Sequence, residues 1–451
     1  MNVRAIKKVY FIGIGGIGMS AIARFFLQQG TTVSGYDRTE TALTTQLIAE
    51  GFQIHFTDDV ALIDRDAELV VYTPAIPKDH KELNWYKDNG YPVYKRSDVL
   101  QWITETLYSI TVAGTHGKTT ISTMIAYLLR ETGYGCNAFL GGISVNYGTN
   151  YWGSSNDVAV IEADEFDRSF LKLRPDLAVL TAIDADHLDI YGTIDEIEKA
   201  FLQYTDNIKP NGQLVVKHGL HRIGEMKANH KMTYAFNDSS AAVYATNVVN
   251  RNGGYTFDVK GVNWSIEGFD LNIGGLHNVE NAVAAIVVTR RLGIDPEKVK
   301  AALANFKGIK RRFEYIILNE QQAFIDDYAH HPEELAALIK SAKNLFPDRK
   351  CVVSFQPHLF TRTRDFAEGF AKSLDMADEV LLLDIYPARE LPIEGVTTKM
   401  ITDLMKNPNH KILSKDELVA YVAKTKPNLF VTSGAGDIDK LVTPIKEALS
   451  K

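Results

Sequence analysis

Residues 113–120 read AGTHGKTT, and the reading of this turn decides the fold. An apolar run, YSITVAG (108–114), enters it, and TTISTMIAYLLRETG (119–133) leaves it with the spacing of an amphipathic helix. In such a strand–turn–helix unit, backbone N–H groups converge at the helix N-terminus, where charge and hydrogen bonding together hold phosphate oxygens. Lys118 adds a point charge for the outer phosphates, and the Thr119 hydroxyl adds a ligand for magnesium. The usual glycine five positions before Gly117 is missing, and Val112 stands there. The competing reading is a tight turn with a surface lysine.

Two neighbouring stretches favour the nucleotide reading. EADEFD (162–167) and DADHLD (184–189) each close an apolar run, DVAVIEADE (157–165) and LAVLTAID (177–184). In a parallel sheet the carboxyl ends of strands share one edge, so these carboxylates fall beside the 113–120 turn. Hard oxygen donors there suit Mg²⁺, which a nucleoside triphosphate needs.

A second glycine signature opens the chain. GIGGIGMS (13–20) places Gly13, Gly15 and Gly18 in the G-x-G-x-x-G spacing between the run VYFIGIGG and the helical stretch MSAIARFFLQQG. Asp37 closes the next strand, TVSGYD, where a ribose-binding acid stands in dinucleotide folds. On spacing alone this forecasts a nicotinamide dinucleotide and an NAD(P)-dependent Rossmann oxidoreductase. The motif certifies only a diphosphate near a helix N-terminus, and a UDP-sugar carries one too. Two cradles imply two phosphorylated ligands, one spent as an energy source and one serving as a handle on the substrate. That points to an ATP-driven synthetase.

Strand and helix patterns alternate along the chain, which implies doubly wound parallel sheets. New units begin near Leu107 and Phe313. The expected fold class is α/β in three domains: Rossmann-like over 1–106, a central P-loop ATPase domain over 107–312, and Rossmann-like again over 313–451. A length of 451 residues exceeds one core, in keeping with that division. The net charge of -7 leaves no basic footprint for nucleic acid. Cys136 and Cys351 lack CxxC spacing, which argues against a disulfide framework or thiolate zinc site and for a reducing, cytoplasmic setting. No stretch reads as a membrane span, and the apolar N-terminal run is read as the first strand and helix rather than a leader.

Nine stretches, GIGGIGMS, AGTHGKTT, EADEFDRSFLKLRP, DADHLDIYG, GLHNVENAVAA, RRFE, DDYAHHP, FQPHLFTRTRDF and DIYPARE, make the chain resemble the Mur ligase family along nearly its whole length. Within it the likeness is greatest to members that join L-alanine to the lactyl carboxylate of UDP-N-acetylmuramate at the expense of ATP. The abbreviated GTHGKT turn is the form this family uses. The resemblance implies that Gly13, Gly15, Gly16, Ile17, Gly18, Met19, Ser20, Asp37 and Thr73 hold the UDP-sugar. It implies ATP contacts from Gly114, Thr115, His116, Gly117, Lys118, Thr119, Thr120, His277, Asn278, Asn281, Arg312 and Asp327. Thr119, Glu162 and His187 are its metal ligands, for Mg²⁺ with Mn²⁺ tolerated. Tyr328, His330, His358 and Arg362 line its amino-acid pocket. Asn278 or Asn281 reads adenine or caps a helix, both readings standing, and Arg311 beside Arg312 is read as an ordinary surface charge.

Lys118 and Arg312 are the expected charge-neutralising catalytic groups, with His187, His330 and His358 as alternative bases for the amine. Leu359 departs from a common arginine, Arg389 from a frequent glycine and Gly274 from a frequent proline, so strictness for alanine stays open. Alternatives are a murein-peptide ligase adding a preformed tripeptide, the oxidoreductase, and an ATPase that ligates nothing. A monomer and a homodimer are both compatible with the sequence.

Overall fold

The computed structural model describes residues 2–184, 188–251, 253–388 and 390–450, so His187 and Arg389 lie outside the described residues. The expected α/β class is observed, with three sheets. The first contains β1 (Lys8–Ile12), β2 (Thr32–Tyr36), β3 (Gln53–His55), β4 (Leu69–Tyr72) and β5 (Val93–Lys95), all parallel in the order β3-β2-β1-β4-β5. The second contains β6 (Tyr108–Ala113), β7 (Asn137–Phe139), β8 (Tyr151–Trp152), β9 (Val158–Glu162), β10 (Leu177–Leu180), β11 (Gln213–Lys217), β12 (His230–Phe236), β13 (Val243–Arg251), β14 (Gly254–Gly261) and β15 (Trp264–Leu271). Its order is β15-β14-β13-β12-β11-β10-β6-β9-β7-β8. The third contains β16 (Glu314–Leu318), β17 (Ala323–Asp327), β18 (Cys351–Phe355), β19 (Glu379–Leu382), β20 (His410–Ile412) and β21 (Leu429–Ser433), ordered β16-β17-β21-β18-β19-β20 with only β16 antiparallel.

Packing divides the chain into two compact units. The first comprises Met1–Ala245, Val259–Ile266 and Glu280–Leu303; the second comprises Thr246–Asp258, Glu267–Val279 and Ala304–Lys451. The first and second sheets share one core in the first unit, because the helix Ile17–Gln28 is apolar on more than one face. Phe25 packs edge-on against Phe26 toward β1, and against Phe139 and Tyr151 on the other side, all of them buried. Each such aromatic contributes about 1.5–3 kcal/mol by burial. The second unit has its own core around Phe324, Val352, Leu381, Phe430 and Ile438.

This topology positions two glycine turns. β1 pairs with β2 on one side and β4 on the other, so the strand order reverses at the end of β1, where the 13–16 turn begins. β6 lies between β10 and β9, which brings the ends of those strands beside the 114–117 turn. Glu162 and Asp184, which open the two carboxylate-rich stretches, therefore flank the turn, as the sheet argument expected. Crevices of this kind, outside the carboxyl ends at a change of strand order, are where open α/β sheets bind ligands.

Candidate active site

The helix Lys118–Glu131 starts from Gly117, whose φ of +80° puts it in the left-handed region, and no side chain caps it. An uncapped first turn keeps N–H groups available to an anion. Gly114 has no room for another residue. Its φ is +130°, and a Cβ there would lie 2.1 Å from Thr181 Oγ1. The turn is pinned from β10's end, where Thr115 N–H donates to Ala182 O at 3.1 Å and Asp184 N–H to Thr115 Oγ1 at 3.1 Å.

Lys118 Nζ donates to Gly114 O and to Glu165 Oε1, both at 2.8 Å. Glu165 is almost fully buried, and burial raises its pKa while the ammonium of Lys118 pulls it back down. Thr119 Oγ1 donates to Glu162 Oε1 at 3.0 Å, and Gly141 N–H donates to the other oxygen of that carboxylate at 3.0 Å. A hydroxyl and a carboxylate so placed beside the phosphate turn are the hard donors a magnesium ion takes, and they fit it. Among the described residues no group of three or more His, Cys, Asp or Glu side chains forms a metal cluster. Asn281 belongs to this site, since its Oδ1 lies 3.0 Å from where a Cβ on Gly117 would be. His116 is exposed, with Nε2 3.5 Å from Asp184.

At the first turn, Gly13 and Ile14 N–H both donate to Tyr36 O, and Asp37 accepts from Gly15 N–H at 2.8 Å. Asp37 therefore holds the turn itself. Thr73 closes on Gly13, its Cγ2 only 2.8 Å from a would-be Cβ. The Met19 and Ser20 side chains are buried in the interior, where Ser20 Oγ accepts from Asn150 Nδ2 at 3.0 Å. Asn150 also donates to Ile17 O at 2.5 Å and accepts from Arg24, whose guanidinium is paired with Glu50 at 2.7 Å.

Sequence reasoning missed this clasp because Asn150 belongs to no motif. It also missed Arg96, which stands over Gly18 and lines a cavity of about 110 Å³ with Glu162 and Gly141.

In the second unit Asp327 accepts from Phe313 N–H at 2.6 Å and Ala329 N–H at 2.7 Å, and burial pushes its pKa up to about 6. It thereby holds the turn that presents Arg312, which is exposed. Arg311 corrects the expectation of a surface charge. With φ +61° it turns inward, donates to Gly434 O, lies 3.4 Å from buried Asp326 and covers the Tyr328 ring. A carboxylate as buried as Asp326, whose pKa is pushed up to about 7 by burial, needs such a partner.

His277 is exposed, whereas Asn278 is buried and donates to Gly274 O at 2.6 Å, bracing the turn before the helix His277–Arg291. Tyr328, His330 and His358 are brought together, with ring centroids 5.1 Å and 6.4 Å apart along that series. His358 stacks on Tyr386, and burial, Arg362 and His330 all lower its pKa. Its Nδ1 is buried without a hydrogen bond among the described residues. Leu359 follows with φ +70°, a strained value for leucine, and starts the helix Phe360–Leu374 that carries Arg362. Glu390, at the end of DIYPARE, accepts from Thr361 N–H at 3.0 Å and anchors that helix start.

A GKT turn beside a hydroxyl and a carboxylate, a second glycine turn on the same unit, and a separate α/β unit that brings Tyr328, His330 and His358 together have the arrangement of a nucleotide-dependent synthetase fold. The chain belongs to the Mur ligase family: models of its Mur ligase family catalytic domain, its middle domain and its glutamate ligase domain match residues 8–108, 112–289 and 311–436.

Its relatives include the UDP-N-acetylmuramate–L-alanine ligases of Cytophaga hutchinsonii (46% identical, covering 99% of this chain and 97% of that one) and Flavobacterium psychrophilum (47% identical, covering 100% of both). Among solved structures, the UDP-N-acetylmuramate–alanine ligase of Thermotoga maritima is 29% identical, with a TM-score of 0.81 over 98% of this chain and 99% of that one. A murein peptide ligase of Psychrobacter arcticus shares the fold at 24% identity and a TM-score of 0.67, over 99% of both chains.

Proposed function

We propose that this chain is an ATP-dependent ligase that joins L-alanine to the lactyl carboxylate of UDP-N-acetylmuramate, in the cytoplasmic synthesis of peptidoglycan precursors. The observation that carries this reading is full-length likeness, at 46–47% identity, to relatives bearing that activity in their names. Those relatives favour neither the tripeptide-adding nor the oxidoreductase alternative. No described helix is long and apolar enough to cross a membrane.

The chain works in this account as three domains, 1–106, 107–312 and 313–451. A carboxylate is a poor electrophile because its leaving group would be oxide, so the lactyl carboxylate attacks the γ-phosphorus of ATP and ADP departs. The amine of L-alanine then attacks the acyl carbon and phosphate leaves. The first step brings two anions together, and Lys118 and Arg312 neutralise the charge that accumulates. Thr119 and Glu162, together with His187, would hold Mg²⁺, which when bound would neutralise part of the charge on the phosphate oxygens. Lys118 reaches ATP by exchanging part of its bond to Glu165 for phosphate oxygens, which leaves its charge compensated throughout.

Tyr328, His330, His358 and Arg362 receive the amino acid. The lowered pKa of His358 keeps its imidazole neutral near pH 7, the state a base for the incoming ammonium requires. Phosphate release with Mg²⁺, ATP and UDP-N-acetylmuramate, on adding L-alanine, glycine, L-serine or the tripeptide in turn, tests the reading. L-alanine should stimulate well above the rest. Stimulation by the tripeptide alone would transfer the assignment to a murein-peptide ligase.

A further inference from the structure

We propose that Arg96 is a substrate-positioning residue that grips the diphosphate of the sugar nucleotide from across the first glycine turn. The assignment rests on the sugar-nucleotide reading above and adds a ligand that the glycine motif does not contain. Arg96 begins the helix Arg96–Thr106 directly after β5, at the same carboxyl edge of the first sheet as the 13–16 turn. Its guanidinium lies against Gly18: a Cβ on that glycine would fall 2.5 Å from Nη1 and 3.4 Å from Cζ. The third glycine of the motif thus makes room for a cation, and any side chain there would displace it.

Charge makes the placement informative. Gly18 is in the first turn of the helix Ile17–Gln28, which starts at Gly16 with no side-chain cap and presents its positive end there. Among the described residues the Arg96 side chain has no carboxylate at ion-pair distance and no hydrogen-bond acceptor, although it is half-buried. A half-buried guanidinium against the positive end of a helix is repelled until an anion lies between them. A diphosphate meets both, through charge-assisted bonds to the fork and hydrogen bonds to the turn.

A cavity opens beyond Arg96 on the side of the second sheet. Its volume is about 110 Å³, its walls include Phe139, Leu140 and Ile161, and Glu162 and Asp164 line it too. With the diphosphate on Arg96 and Gly18, this cavity leads from the first glycine turn toward Glu162 beside the 114–117 turn.

The test is equilibrium binding of UDP-N-acetylmuramate, UDP-N-acetylglucosamine and UDP to the full-length wild type, Arg96→Gln and Arg96→Lys, followed by steady-state kinetics. Arg96→Gln should weaken all three by a common factor, on the order of 10–100-fold, because each carries the diphosphate. Arg96→Lys should recover part of it. The kinetic loss should fall in KM for UDP-N-acetylmuramate rather than in kcat, with KM for ATP and L-alanine unchanged. Weakening confined to UDP-N-acetylmuramate would put Arg96 on the lactyl carboxylate and overturn the proposal. Unchanged binding, or a fall in kcat alone, would overturn it equally. Wild-type protein that bound none of the three would instead overturn the sugar-nucleotide reading itself.

Discussion

Replacing Lys118 by methionine should destabilise the ligand-free protein as well as silence it, with a pH dependence set by Glu165. The pair is buried, with the Lys118 side chain 13% exposed, that of Glu165 1% exposed, and 2.8 Å between the charges. Without the ammonium, the buried Glu165 carboxylate loses its ion-pair partner at 2.8 Å, and breaking a buried pair in this way costs about 3–5 kcal/mol. The protein escapes part of this by protonating the carboxyl. Holding a proton at pH 7 on a group whose ordinary pKa is 4.5 spans 2.5 pH units, or about 3 kcal/mol. That figure caps the loss at pH 7.

The sign follows from linkage. Folded Lys118→Met holds one more proton than its unfolded chain between 4.5 and the raised folded value, so its stability is greatest below that window and falls by up to about 1.4 kcal/mol per pH unit as pH rises through it. All four tryptophans, Trp85, Trp102, Trp152 and Trp264, lie in the first unit, so urea unfolding followed by their fluorescence reports on the right part of the molecule. The double variant Lys118→Met/Glu165→Gln should recover most of the loss and show no such slope. Equal destabilisation at pH 5 and pH 8, or strict additivity of the two substitutions, would refute the reasoning.

Asn150→Ala strips Arg24, Ile17 O and Ser20 of a shared partner and should cost about 2–4 kcal/mol in the same assay while raising KM for the sugar nucleotide. Glu82 is fully buried under Tyr10, with a pKa pushed up to about 7 by burial, so its contribution to stability falls as pH rises from 4.5 to 7. Glu82→Gln should therefore match the wild type near pH 5 and exceed it at pH 8 by up to about 3 kcal/mol in urea unfolding. Arg311→Ala should loosen the second unit, read as faster hydrogen exchange in β17 and β21, because Asp326 loses its guanidinium. Arg312→Ala should leave that exchange unchanged and lower kcat by about 100-fold or more.

Both glycine turns were legible because each requires a particular backbone: Gly114 and Gly117 sit at positive φ, and the apolar runs around them could only be buried strands. β3, β7, β8, β16 and β20 were not legible. Several are two or three residues long, and β16 is an antiparallel edge strand, so none carries a strong apolar period. The closeness of Glu162 and Asp184 to the 114–117 turn could be anticipated from carboxylates at strand ends. Residues that act through packing could not. Asn150 and Arg96 reach their places by tertiary contacts more than 70 residues away in sequence, and nothing local marks them. Arg311 and Arg312 show the limit of motif reading. Adjacent and chemically alike, they are separated in role by the left-handed turn at Arg311 and by the buried carboxylate that claims one of them.

In the proposed reaction phosphoryl transfer to the lactyl carboxylate precedes amide formation. It is tested most directly with UDP-N-acetylmuramate carrying ¹⁸O in that carboxylate, incubated with the protein, ATP, Mg²⁺ and L-alanine, with mass analysis of phosphate and product. One ¹⁸O in each phosphate released, together with the L-alanyl product, is the expected result. Phosphate free of label, or label retained entirely in the sugar nucleotide, would contradict the account.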